Sequence, residues 1–168
     1  MKPPAEIFLS HASSDRRFAS RLAAVIARHR LSVFYSRKSI RGAQHWHDEI
    51  GRALARCNWF LLVLSPAAVK SEWVKRELVY ALQSKRYRRH IAPLLLKGCD
   101  IEKLSWTLSG FQQIDFRKRF DEGCRELVLR QYSERCANHH SHVTPKSKRR
   151  RFVPGDVDDA RVSRHPMV

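Results

Sequence analysis

Residues 59–66 read Trp59-Phe60-Leu61-Leu62-Val63-Leu64-Ser65-Pro66, six apolar side chains in succession closed by a serine and a proline. An apolar run of strand length without polar alternation suits a parallel strand covered on both faces. Working outward, runs rich in apolar, β-branched and aromatic residues lie at Glu6 to Ser10, Leu31 to Tyr35, Ile91 to Leu96 and Phe111 to Phe116. Helical spacings fill the gaps between them. Phe18, Leu22, Val25, Ile26 and His29 follow one helical face, with Ser13 or Ser14 as N-cap and Asp15 in the first turn. Trp46, Ile50, Ala53, Leu54 and Cys57 share a face of a second helix. A third, from about Lys70 to Lys85, opens after Ser65-Pro66 and turns Trp73, Val74, Leu78, Ala81 and Leu82 inward. Phe120, Cys124, Leu127 and Val128 mark a closing helix from about Lys118 to Ser133.

Strands that alternate with single helices predict βαβ units with right-handed crossovers. The expected fold class is therefore α/β: a flavodoxin-like five-stranded parallel sheet, order 2-1-3-4-5, flanked by helices. Pro93 sits uneasily in the fourth run, because proline removes a ladder hydrogen bond. In such a sheet ligands lie beyond the carboxyl ends of the strands, which directs attention to the loops after the first three.

A chain of 168 residues, 43% hydrophobic and 29% charged, suits one globular domain, expected over residues 1–135, and excludes wholesale disorder. No apolar run approaches the roughly 20 residues of a membrane span. Met1 to Glu6 lack the apolar core of a secretory signal, so a cytoplasmic location is expected. Residues 136–168 carry His139, His140, His142, the run Lys146 to Arg151 and few large apolar groups, which predicts a basic, disordered tail. The net charge is +17, of which +13 falls on residues 1–135. An excess of this size attracts nucleic acid, nucleotides, acidic partners or anionic membrane. No membrane partner is expected, and without a base-reading motif or an aromatic stacking platform nucleic acid is not favoured either. Cys57, Cys99, Cys124 and Cys136 are separated by 42, 25 and 12 residues, which fits neither a zinc pair nor a small disulfide framework, so reduced thiols are expected.

Glu77 breaks the pattern of its helix. At about 100° per residue, with Trp73 at the origin, Glu77 falls at about 40°, inside the apolar arc that runs through Ala81, Val74 and Leu78 to Leu82. A carboxylate there is either functional, salt-bridged to an arginine, or snorkelling out beside Trp73. The loop Ser10 to Ser14, with three hydroxyls and His11, suits either helix capping or a phosphate at a helix start. The segment Ser36 to His45, with Arg37, Lys38, Arg41 and Gly42, suits either a mobile lid over an anionic ligand or a solvated loop. There is no G-x-G-x-x-G, Walker A or G-x-S-x-G run. His45 and His47 flank Trp46 on different helix faces, without partners at metal-ligand spacing, so no metal site is expected.

Three motifs, in order, resemble the Toll/interleukin-1 receptor (TIR) domain family, in particular its bacterial branch. The first is Ile7-Phe8-Leu9-Ser10-His11-Ala12-Ser13-Ser14-Asp15; the second joins Ile40, Gly42 and Trp46 to Glu49-Ile50 and Ala53-Leu54, similar to the family's mobile BB loop and the helix after it. The third and most specific is Leu62-Val63-Leu64-Ser65-Pro66 running to Ser71-Glu72-Trp73-Val74-Lys75-Arg76-Glu77-Leu78. The resemblance covers about residues 5–133 and departs from the family at Ser36, where many members carry an aspartate. It implies NAD+ as a substrate rather than a cofactor, cleaved at the nicotinamide–ribose bond to ADP-ribose or a cyclic product. Glu77 then occupies the catalytic position of the Trp-x-x-x-Glu stretch. Phe8 and Trp46 would line the nucleotide site, Ser10, Arg37 and Lys38 would meet phosphates and hydroxyls, and Gly42 and Trp73 would complete it. The family also implies self-association through TIR–TIR contacts, a role in bacterial antiphage defence, and a separate effector or sensor protein as partner. Its non-enzymatic adaptors supply the alternative: a signalling module that binds other TIR surfaces.

Overall fold

Each strand-length run becomes a strand of one sheet. The structure, a computed structural model, describes residues 6–35 and 43–140, with side chains for all of these except 43–46 and 131–140. Strands β1 (Glu6–Ser10), β2 (Ser32–Tyr35), β3 (Trp59–Leu64), β4 (Ile91–Leu95) and β5 (Ile114–Asp115) are all parallel and lie in the order β2-β1-β3-β4-β5. This is the flavodoxin-like order expected from the alternation of elements. Helices α1 (Arg16–Arg28), α2 (Ala43–Arg56), α3 (Pro66–Lys70), α4 (Glu72–Gln83) and α5 (Phe120–His140) flank it.

Period-two alternation divides the strand residues between two cores. Ile7, Leu9, Leu61, Val63 and Leu94 pack with Leu22 and Ile26 of α1 and Leu127 of α5. Phe8, Phe60, Leu62 and Leu64 pack on the opposite side, with Ile50, Ala53 and Leu54 of α2 and Val74, Leu78 and Ala81 of α4. Every residue of β3 is buried, as its unbroken apolar run requires. Pro93 is accommodated by geometry. The Leu96 amide donates to the Leu64 carbonyl on β3, so by strand alternation the missing Pro93 donor falls on the β5 side, where pairing begins only at Leu94.

Local chemistry moves several boundaries. Ser13 and Ser14 do not cap α1: both are exposed in a 3-10 turn, Ser13–Asp15, and Asp15 at the N-cap makes no side-chain cap bond. Nor does His29 lie on the buried face, since α1 ends at Arg28 and His29 is the exposed C-cap. The expected third helix is α4, preceded by the short α3, which was not expected; the two are separate because Ser71 adopts extended backbone (φ −85°, ψ 108°), its hydroxyl accepting from the Val74 amide. Ser65 caps α3 in the same way through the Ala68 amide, with Pro66 in the first turn. β5 is shorter than the run Phe111 to Phe116, because the 3-10 turn Trp106–Gly110 holds the Phe111 amide on the Leu108 carbonyl. The closing helix continues past Ser133 to His140, a stretch without glycine or proline to stop it. The remainder of the expected tail, 141–168, lies outside the described residues. Cys57, Cys99 and Cys124 are free thiols.

Candidate active site

Strand β1 ends at the point where the sheet order reverses, between β2 and β3, and its last residue is Ser10. Ser10 shares a face of β1 with Phe8, two residues earlier, and that face looks onto the α2 and α4 layer. Helix α4 crosses there and presents Glu77. The Ser10 hydroxyl donates to the Glu77 carboxylate at 2.5 Å, and the two side chains are 1% and 4% exposed. Trp73, one turn earlier on α4, is half-buried against the same core, and its side chain favours the charged form of the carboxylate. Desolvation pushes the Glu77 carboxyl up to about 7 against the opposing pull of the Ser10 hydroxyl and the Trp73 side chain. At neutral pH the group is therefore divided between its acid and its carboxylate. Among the described residues no cation pairs with it, and its burial excludes snorkelling, so neither alternative raised by the helical wheel is seen.

Two contacts were not legible in the sequence. His47 of α2 is exposed and sets its ring against Trp73, centroids 4.8 Å apart and planes at 69°. Spacing within either helix cannot reveal a contact made across two of them. Asp15 and Ser65 are both buried, and the Ser65 hydroxyl donates to Asp15 at 2.5 Å while accepting from the Ala68 amide. This pair ties the turn after β1 to the start of α3. Its signal in the sequence is weak, since an acid at a helix start is ordinarily a solvated one.

The structure brings Glu77, Ser10 and Trp73 together. Phe8, two residues before Ser10 on the same face, is 1% exposed and stacks with Phe34 at 5.4 Å and Phe60 at 5.7 Å. Arg37, Lys38, Gly42, the side chain of Trp46 and Ser36 lie outside the described residues. His11, beside Ser10, holds its Nδ1 2.8 Å from the Ala12 carbonyl oxygen. Among the described residues no group of three His, Cys, Asp or Glu side chains is placed to hold a metal ion.

The TIR-domain family model matches residues 7–128, most of the chain and all of the sheet except Glu6. The chain belongs to the TIR-domain family. Solved structures agree on the fold. This TIR domain is similar to that of the Toll-related receptor TRR-2 from Hydra magnipapillata (TM-score 0.59, 19% identity), a match that covers 79% of this chain and 98% of the other. It is also similar to the TIR domains of the activated Roq1 resistosome, which recognises the pathogen effector XopQ (TM-score 0.57, 16% identity, 76% and 99% covered). A third likeness is to a TIR-STING receptor from C. gigas in complex with 2′,3′-cGAMP (TM-score 0.57, 21% identity), where the match covers 73% of this TIR chain and 40% of the receptor. No curated protein sequence gives a significant match. Among the described residues no helix is long and apolar enough to cross a membrane.

Proposed function

We propose that this TIR domain cleaves the nicotinamide–ribose bond of NAD+, with Glu77 as its catalytic residue. The observation that carries the reading is the buried Ser10–Glu77 hydrogen bond at the switch point of the sheet, on the residue that the family resemblance marks for catalysis. Breaking the C1′–N bond leaves oxocarbenium character on the ribose, and its electron pair neutralises the nicotinamide ring as it departs. The leaving group needs no acid. One carboxylate near the ribose then supplies the main stabilisation, and a poorly solvated one does so more strongly than one in water. Water attacking C1′ gives ADP-ribose and releases a proton, for which ionised Glu77 is an acceptor; a nucleophile within the same molecule gives a cyclic product. Trp73 and Ser10 orient the carboxylate. With Glu77 only 4% exposed, substrate access requires its surroundings to move, so activity is coupled to a conformational change, for which self-association is the proposed trigger. Arg37 and Lys38 are proposed to meet the phosphates, with Gly42 and Trp46 beside them. A role in bacterial antiphage defence belongs to the same proposal, with a separate effector or sensor as partner.

A second reading, a non-enzymatic TIR–TIR signalling module, is favoured by apolar side chains that face outward: Trp106 is 78% exposed, and Val79 and Tyr80 stand on the outer side of α4. Incubation of purified, concentrated protein with NAD+ and a crowding agent, beside Glu77→Gln, separates the two. Nicotinamide release in wild type that falls about a hundredfold or more in the variant supports catalysis; the co-eluting product tells hydrolysis from cyclisation. Release that is equal in both contradicts the role of Glu77, and silence in both with intact self-association favours the module.

A further inference from the structure

At the amino ends of β3 and β4, the opposite end of the sheet from Glu77, an open cleft of about 290 Å³ is lined by Trp59, Ile91, Ala92, Gly110 and Phe111, with Gln112 and three arginines, Arg88, Arg89 and Arg130, completing it. No acidic side chain lines it. The Arg130 guanidinium is fixed in orientation, donating to the Gln112 carbonyl at 2.9 Å and to its side-chain oxygen at 2.7 Å. Arg88 and Arg89 are exposed and follow the turn that ends at buried Tyr87, whose hydroxyl donates to the Leu54 carbonyl at 2.6 Å, so their backbone is anchored from within. Like charges are gathered here against mutual repulsion, around the half-buried Phe111 ring and above Trp59, which is buried and set against the His90 ring at 4.9 Å. Guanidinium forks match phosphate oxygens, and small-molecule sites combine an apolar floor with a few convergent polar groups in volumes that begin near 300 Å³. We propose that this cleft is a second ligand site, which takes a nucleoside phosphate: the phosphates against Arg88, Arg89 and Arg130, the base against the half-buried Phe111 ring. The site is separate from the Glu77 centre and does not depend on its activity.

Calorimetric titration of the full chain with ADP, adenosine and inorganic phosphate tests this, in wild type, Arg88→Ala/Arg89→Ala, Arg88→Glu and Glu77→Gln. The expected result is saturable one-to-one binding of ADP, weakened about tenfold or more by either arginine variant, unchanged by Glu77→Gln, and weakening as salt is raised. Adenosine and inorganic phosphate should each bind at least about tenfold more weakly than ADP. Both arginines are exposed, so the variants should keep the near-ultraviolet circular dichroism of wild type, and the single charge reversal provides an independent test if the double variant does not. No saturation by ADP overturns the proposal. So does ADP binding that both arginine variants leave intact, which would put the nucleotide elsewhere, and so does inorganic phosphate binding as tightly as ADP.

Discussion

Glu77 carries the chemistry of the site and also a cost to the fold. Burial raises its carboxyl from an ordinary 4.5 to about 7, so the folded state holds a proton that the unfolded chain releases between those values. Stability contributed by the protonated group is full below pH 4.5 and lost as pH rises to 7, a change of about 3 kcal/mol at 1.36 kcal/mol per unit. Glutamine keeps the shape without the charge. Urea unfolding should therefore show Glu77→Gln gaining on wild type from pH 5 to pH 8, by about 2–3 kcal/mol in all; a difference that does not change with pH would show that Glu77 titrates normally. Glu77 was legible as one carboxylate inside an apolar arc, a contradiction within a single helix. Its partner was not: Ser10 and Glu77 are 67 positions apart, and only the crossing of β1 by α4 brings them to 2.5 Å. The rings around Phe8 were equally hidden: strand alternation sets it on the same face as Ser10, but its stacking with Phe34 and Phe60 joins three strands that no local pattern relates.

At the scale of elements, two positions, one inside a helix and one just past a helix end, run against the preferences of their residue types. Gly123 lies inside α5, where glycine is ordinarily unfavourable, yet a Cβ there would stand 2.7 Å from the Phe116 ring. That ring is wedged between α5 and α1, edge-on to Phe18 at 5.1 Å, so it has little room to retreat. Gly123→Ala should destabilise the protein by about 1–3 kcal/mol in chemical unfolding, despite alanine's higher helix propensity. A stabilised variant would mean that the ring moves freely. Arg30, two residues past the end of α1, holds φ at 58°, a left-handed conformation that suits glycine. Arg30→Gly should stabilise by about 0.5–1 kcal/mol by the same measurement, and a loss of stability would mean that the arginine side chain contributes more than its backbone strain costs. Neither position stands out in hydrophobic periodicity, which reports which face is buried but not how closely two backbones approach or how a helix ends. The same limit explains why the short α3, ahead of Ser71, was not expected.

For the whole molecule, topology was readable because each strand is a short apolar run between helical spacings, and two-sided burial leaves few other ways to arrange five such runs. The charge of +17 named classes of partner but no location; the cleft ringed by Arg88, Arg89 and Arg130 draws on β3, β4, α5 and the segments before β4 and β5, and no single contiguous run contains it. The same assembly from distant parts makes the Ser10–Glu77 pair informative about function. If that buried carboxylate is the reacting group, activity must follow its ionisation, and the hydroxyl that lowers its affinity for protons must set the pH at which activity appears. The most direct measurement is the rate of nicotinamide release from subsaturating NAD+ between about pH 5.5 and 9, for wild type and Ser10→Ala. Wild type should lose about tenfold per unit below an inflection near 7, and the inflection should move upward in Ser10→Ala, where the stabilising hydrogen bond is gone. A pH-independent rate, or an inflection unmoved by the loss of the hydroxyl, would contradict catalysis by Glu77 as it is held here.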